Sequence, residues 1–180
     1  MTLDPALGLV VRGLLCLLLL WACVHKLRDL GAFATTIEQY DVLPRGWAIV
    51  SAPAFAVCEF FLVVGLFVPS AYRGAGIAVA GLMSLYSLAI GVNLLRGRRD
   101  IDCGCLGPGY RQPLSGGLLV RNTVVIAAGL ALMLPESGRR LSWIDAFSVA
   151  AAGATFALLF VAANQLLSQE PRLRMLRRIP

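Results

Sequence analysis

Long apolar runs alternate with short polar breaks along this chain, and the alternation recurs five times. A helix crosses a bilayer core about 30 Å thick with about 20 apolar residues. Runs of that order fall at 7–24, 46–68, 74–95, 118–134 and 143–167. Pro44, Pro69, Pro113 and Pro135 punctuate their borders. Pro53 lies inside the second run and predicts a kink there rather than an end. Between the first two runs Phe33, Ile37 and Tyr40 recur at helical spacing, with Glu38 and Asp41 on other faces. That segment reads either as a short amphipathic helix at the membrane interface or as an ordinary loop. The pattern therefore predicts an all-α, polytopic membrane bundle forming one domain over 1–180, with a polar hinge at 96–117 and a basic tail at 170–180.

Composition supports the lipid reading. The 180 residues are 58% hydrophobic and 14% charged, with mean hydropathy +0.78. Soluble domains are nearer half apolar and a quarter charged, so the polar surface a water-soluble fold needs is missing. Net charge is +6, and Lys26 is the one lysine among sixteen Lys and Arg. These cations gather at the ends of the apolar runs, which points to membrane orientation and away from nucleic acid. The first charges are Asp4 and Arg12, and Leu20-Trp21-Ala22-Cys23 matches a lipoprotein cleavage box poorly, so the first run reads as an uncleaved span. An outside N-terminus leaves only Arg12, Arg73, Arg139 and Arg140 outside, with the other twelve cations inside. The reverse orientation breaks the positive-inside rule. The expected location is thus a bacterial inner membrane, with the N-terminus outside and both the hinge and the C-terminus cytoplasmic.

The hinge holds the densest chemistry: Arg96-Gly97-Arg98-Arg99-Asp100-Ile101-Asp102-Cys103-Gly104-Cys105-Leu106-Gly107. Two cysteines flanking Gly104 can close into a small disulfide, because glycine tolerates the backbone angles of so tight a ring. Strained, exposed disulfides are the exchangeable ones. Arg96, Arg98 and Arg99 favour a thiolate there, while Asp100 and Asp102 oppose it. Two alternatives stand beside a redox pair: half of a metal site, which His25 completes poorly, and two inert loop cysteines. Five cysteines is an odd count, so no full disulfide framework follows. Cys16 and Cys23, seven apart on one helical face, and Cys58 read first as small apolar packing residues.

Glu59 interrupts the second run. A carboxylate within lipid is expensive and faces the bundle interior with a partner. His25, Lys26, Asn93 and Arg121-Asn122 are the candidates. Its role is then a packing ion pair or a proton carrier coupled to the thiols. Small residues crowd the third and fifth runs (Gly74, Gly76, Gly81, Gly91; Ala150–Ala154), as close helix packing requires.

Several stretches together resemble the methylamine-utilisation MauE family, which belongs with DoxX-like membrane proteins. They are His25-Lys26-Leu27-Arg28-Asp29 followed by Phe33 and Tyr40-Asp41-Val42-Leu43-Pro44, then Pro53 with Glu59, and Tyr86 through Asn93-Leu94-Leu95-Arg96-Gly97-Arg98 into Asp102-Cys103-Gly104-Cys105-Leu106-Gly107. Ser115 with Arg121-Asn122 completes the set. The likeness covers about residues 8–135, and the Arg-Gly-Arg to Asp-Cys-Gly-Cys run is its specific part. It implies a DoxX-like four-helix core with a fifth transmembrane helix appended. It also implies a thioredoxin-like partner and disulfide chemistry in the maturation of exported proteins such as an amine dehydrogenase subunit. Cys103 and Cys105 then exchange electrons, Arg99 and Asp102 tune them, Gly104 permits their tight ring, and Glu59, Lys26 and Arg121 shape the surrounding bundle. No bound cofactor is demanded beyond the Cys103–Cys105 disulfide, and a quinone is a conceivable acceptor. Such a factor should present its cysteines outside, whereas the charge count places them inside. The alternatives are a non-catalytic assembly or scaffold factor for a redox partner and, more weakly, a small transporter with Glu59 in its path.

Overall fold

The computed structural model describes residues 2–44, 46–104 and 112–176, with the backbone alone at 164 and 167–176. Its described residues form six helices and no strand: α1 (Pro5–Arg28), α2 (Leu30–Tyr40), α3 (Ala48–Phe67), α4 (Tyr72–Leu95), α5 (Gly116–Ala131) and α6 (Trp143–Leu176). Each predicted span holds a helix. α1, α3, α4 and the part of α6 from Trp143 to Ala163 are long and apolar enough to cross a membrane. α5 is shorter than the 118–134 run that announced it: its 16 residues rise about 24 Å, and the chain turns from Leu132 onward. α3 continues through Pro53, and α6 runs through Pro171 into what the sequence marked as a separate basic tail. The amphipathic segment is a true helix, α2. Asp29 caps its first turn by accepting from Ala32 N (2.8 Å), and Asp41 ends it in the left-handed region (φ 50°).

The helices are apolar on more than one side. Leu15, Leu19, Leu62, Leu66, Val79, Leu82 and Leu132 fill the core between α1, α3, α4 and α5, while Phe61, Phe67, Leu88, Val124 and Leu158 point outward. An apolar outer face suits lipid, and with four helices long and apolar enough to cross it the chain reads as a multi-pass membrane protein. α4 and α5 pack with almost no gap. A Cβ on Gly76 would lie 2.7 Å from the Gly129 carbonyl oxygen, and one on Gly129 would lie 2.6 Å from that of Gly76. Cys16 and Cys23 turn toward α3, their thiols donating to the carbonyls of Val63 (3.9 Å) and Ala56 (3.4 Å). Cys58, expected to pack inside, instead faces out of the bundle.

The two ends differ. At one, Arg12 donates to the carbonyls of Leu66 and Phe67 at the C-terminus of α3, where a cation suits the helix dipole. At that end Arg139 also pairs with Asp4 and Asp145, tying the start of α6 to the N-terminus of α1. The other end carries α2, the hinge and the buried polar residues Lys26, Asn93, Gln112 and Asn122.

Candidate functional site

α4 stops with a Schellman motif. Gly97 N–H donates to Leu94 O (3.1 Å), Arg98 N–H donates to Asn93 O (3.0 Å), and Gly97 takes φ +75°. The chain then pairs with its own return strand of loop. Cys103 N–H donates to Gln112 O (2.9 Å), Leu114 N–H donates to Ile101 O (3.1 Å), and Asp102 bridges Pro113. Asp102 Oδ1 accepts from the N–H groups of Gly104 (3.3 Å) and Gln112 (3.0 Å), so this carboxylate organises the loop. Ile101, Cys103 and Leu114 bury themselves against Ile90 and Leu118, which pins the hinge to the ends of α4 and α5. Cys103 is consequently 6% exposed, where an exposed sulfur was expected. Gly104 has φ +71°, and a Cβ there would lie 2.9 Å from Thr36 Cγ2 of α2, so both backbone and space call for glycine. Cys105, Gly107, Pro108 and Gly109 lie outside the described residues, as do Arg45 and Arg111.

α2 lies over this loop and is fastened there from α4. Asn93 donates to Tyr40 O, Arg96 to Asp41 O and Arg98 to Gln39 O, each at 3.0 Å. Tyr40 hydroxyl contacts Cys103 O at 3.5 Å. The cation beside Cys103 comes from α5: Arg121 Nη2 lies 3.9 Å from Cys103 Sγ. Arg121 also donates to Gln112 Oε1 and Asn122 Oδ1 (3.4 Å each), and Asn122 donates to Ser87 Oγ (3.2 Å). Arg99, expected to tune the thiols, is exposed and joins the hinge through its carbonyl, which accepts from Leu114 N–H.

Deeper in the bundle, Glu59 is fully buried and ion-paired to Lys26, itself 4% exposed. Of the candidate partners it is therefore Lys26 that α1 delivers. His25 turns edge-on to Trp21, Asn93 serves α2, and Asn122 serves Ser87. Tyr86 completes the group: its hydroxyl donates to Glu59 Oε1 (2.9 Å) and accepts from Lys26 Nζ (3.1 Å). The sequence reading named Tyr86 but gave it no role. Its position seven residues before Asn93, hence on the same interior face of α4, was the available signal. The rings of Phe33 and Tyr86 flank the Lys26 ammonium at 4.7 and 4.8 Å. Glu59 Oε2 is buried with no hydrogen-bond partner among the described residues.

A cavity of about 30 Å³ is lined by Lys26, Glu59, Tyr86, Arg121 and Asn122, with Trp21 and Phe160 among its apolar walls. A second, of about 50 Å³, lies between His25, Asp29, Phe33, Thr36, Asp102 and Gly104, and Lys26 borders both. Among the described residues no cluster of three His, Cys, Asp or Glu is placed to hold a metal. The arrangement suits chemistry of a buried sulfur flanked by one cation, with an ion pair behind it.

The family model described as "Methylamine utilisation protein MauE" matches residues 4–135. Curated relatives called methylamine utilization protein MauE align along nearly the whole chain. That of Paracoccus denitrificans is 34% identical over 165 residues, 91% of this chain and 88% of the relative. That of Methylorubrum extorquens is 37% identical over 162 residues (89% and 87%), and that of Methylophilus methylotrophus 30% over 167 (89% and 86%). No solved structure matches the chain significantly.

Proposed function

The chain belongs to the MauE family, and from that membership we propose that it serves methylamine utilisation as a membrane thiol–disulfide exchanger. Its Cys103–Cys105 pair passes electrons to or from a thioredoxin-like partner and so supports maturation of an exported, disulfide-containing protein. The supporting observation is the setting of Cys103: a sulfur sealed into the hinge, 3.9 Å from a guanidinium that favours its ionised form. An inert loop cysteine needs neither the cation nor the paired loop that holds it there.

Burial divides the labour. A sulfur 6% exposed is poorly reached by another protein, so Cys105 meets the partner and Cys103 resolves. In the oxidising direction, the Cys105 thiolate attacks the partner's disulfide and one partner sulfur leaves as thiolate. The Cys103 thiolate then attacks Cys105, displacing the second partner sulfur. The chain ends as a disulfide, the partner as a dithiol, and two electrons and two protons have moved. The reverse sequence runs in the other direction.

Trapping tests this. Cys103→Ser should accumulate a reductant-sensitive mixed disulfide through Cys105 and abolish methylamine-dependent growth. Cys105→Ser should trap nothing and also abolish growth. Growth on methylamine with either serine variant would leave the scaffold reading in its place.

A further inference from the structure

Arg121 can act on Cys103 only while its guanidinium stays beside the sulfur, and a long, rotamer-rich side chain does not hold itself there. Two amide oxygens hold it. Gln112 Oε1 accepts from Nη1, and Asn122 Oδ1 accepts from Nη2, the same nitrogen that lies 3.9 Å from Cys103 Sγ. Both amides are buried, at 1% and 2% exposed, and a guanidinium carries donors alone, so each turns its oxygen toward the arginine. Ser87 fixes the second of these orientations. Its single hydroxyl proton goes to Met83 O (2.7 Å), which leaves Oγ as an acceptor for Asn122 Nδ2 and so presents Oδ1 to Arg121. We propose that Gln112 and Asn122 are positioning residues of the exchange chemistry, holding Arg121 against Cys103 through uncharged oxygens. The inference rests on the exchange reading above.

The amides hold without adding charge. A carboxylate at either position would grip the guanidinium more firmly, through a charge-assisted bond, but its negative charge would compete with the thiolate for the same cation. An amide oxygen supplies the grip alone. Nor is the Gln112 side chain needed to build the loop, because its main chain does that: Cys103 N–H donates to Gln112 O, and Gln112 N–H donates to Asp102 Oδ1. The planar guanidinium fork links its two ends, so fixing Nη1 on Gln112 also fixes Nη2 at the sulfur. Among the described residues, the charged and titratable groups around Cys103 are Arg121 from α5, the Tyr40 hydroxyl from α2 and its hinge neighbour Asp102. His25, Lys26 and Asp29 of α1 stand across the cavity that adjoins Gly104, and α4 brings the apolar Ile90.

The effect is read in the resolving step. Purified full-length protein in micelles is charged at Cys105 with an aromatic thiol, and its release by Cys103 is timed. A cation within about 4–6 Å changes the ionised fraction of an acid by about 10- to 1000-fold. A more basic thiolate is the stronger nucleophile, which returns about half of that logarithm. Gln112→Glu should therefore release about 3- to 30-fold more slowly than wild type near neutral pH, although it holds Arg121 at least as firmly. A merely structural amide predicts no loss, and a rate equal to or above wild type overturns the proposal. The deficit should close as pH rises, since alkali ionises the thiol without help. A deficit that persists at every pH marks a damaged loop and also overturns the proposal. Gln112→Met should slow release in the wild-type background and have no further effect in Arg121→Met, because it acts through that arginine. Slowing of the same size in both backgrounds overturns it. If Arg121→Met does not fold, Asn122→Asp repeats the carboxylate comparison from α5, with the same loss expected and the same results against it. No release from wild type at all would instead refute the exchange reading.

Discussion

Replacing Lys26 by methionine separates a buried ion pair from a superficial one. Exposed pairs contribute about 0–1 kcal/mol. Lys26 and Glu59 are 3% and 0% exposed at the side chain, so the buried regime applies, and removing one partner costs about 3–5 kcal/mol. The two deletions are not equivalent. Lys26→Met leaves Glu59 with only the Tyr86 hydroxyl on one oxygen and nothing described on the other. Glu59→Gln leaves Lys26 with that hydroxyl and two aromatic faces, contacts that reach about 2 kcal/mol when desolvated, so its cost should fall to about 1–3 kcal/mol. Removing both charges while keeping the shapes should cost less than Lys26→Met alone, giving a coupling energy of about 2–3 kcal/mol. The assay is a double-mutant cycle on reversible unfolding in mixed micelles, followed by far-ultraviolet circular dichroism. Two single variants that each cost under about 1 kcal/mol and simply add would refute the reasoning.

Further outcomes follow from the same geometry. Gly76→Ala forces a methyl to within 2.7 Å of the Gly129 carbonyl and should cost about 1–3 kcal/mol in the same unfolding assay, whereas Gly81→Ala meets nothing within 4 Å and should be near neutral. Gly104→Ala places a side chain at φ +71° against Thr36, a strain of about 1–3 kcal/mol, and should speed alkylation of Cys103 as the hinge loosens. The Arg139 hydrogen bond holds the Asp4 carboxyl below its ordinary 3.8. A depressed carboxylate stabilises above its unfolded value and loses that contribution as pH falls through the folded one. Pepsin cleavage within 137–142 should therefore accelerate only below about pH 3.8, and added salt should weaken the same tie.

The apolar elements were legible because lipid imposes a length that hydropathy reveals directly. Glu59 was legible for the same reason: a carboxylate in that run needs a partner, and Lys26 stood among the few choices. Arg121 shows what spacing along the chain leaves out. Arg99 is four residues from Cys103 and exposed, while Arg121, eighteen residues on, comes back from α5 to within 3.9 Å of the sulfur. The burial of Cys103 was hidden likewise, since it depends on Ile101 and Leu114 closing over a loop whose pairing no local pattern announces. Cys58 misled because an apolar run does not say which face meets lipid.

The most direct measurement is an equilibrium redox titration of the purified protein, counting alkylatable thiols by mass as a dithiol buffer is varied. Cys103 and Cys105 should gain and lose two labels together in one two-electron transition, while Cys16, Cys23 and Cys58 stay constant. Labels that never change, or that change singly, would contradict the account.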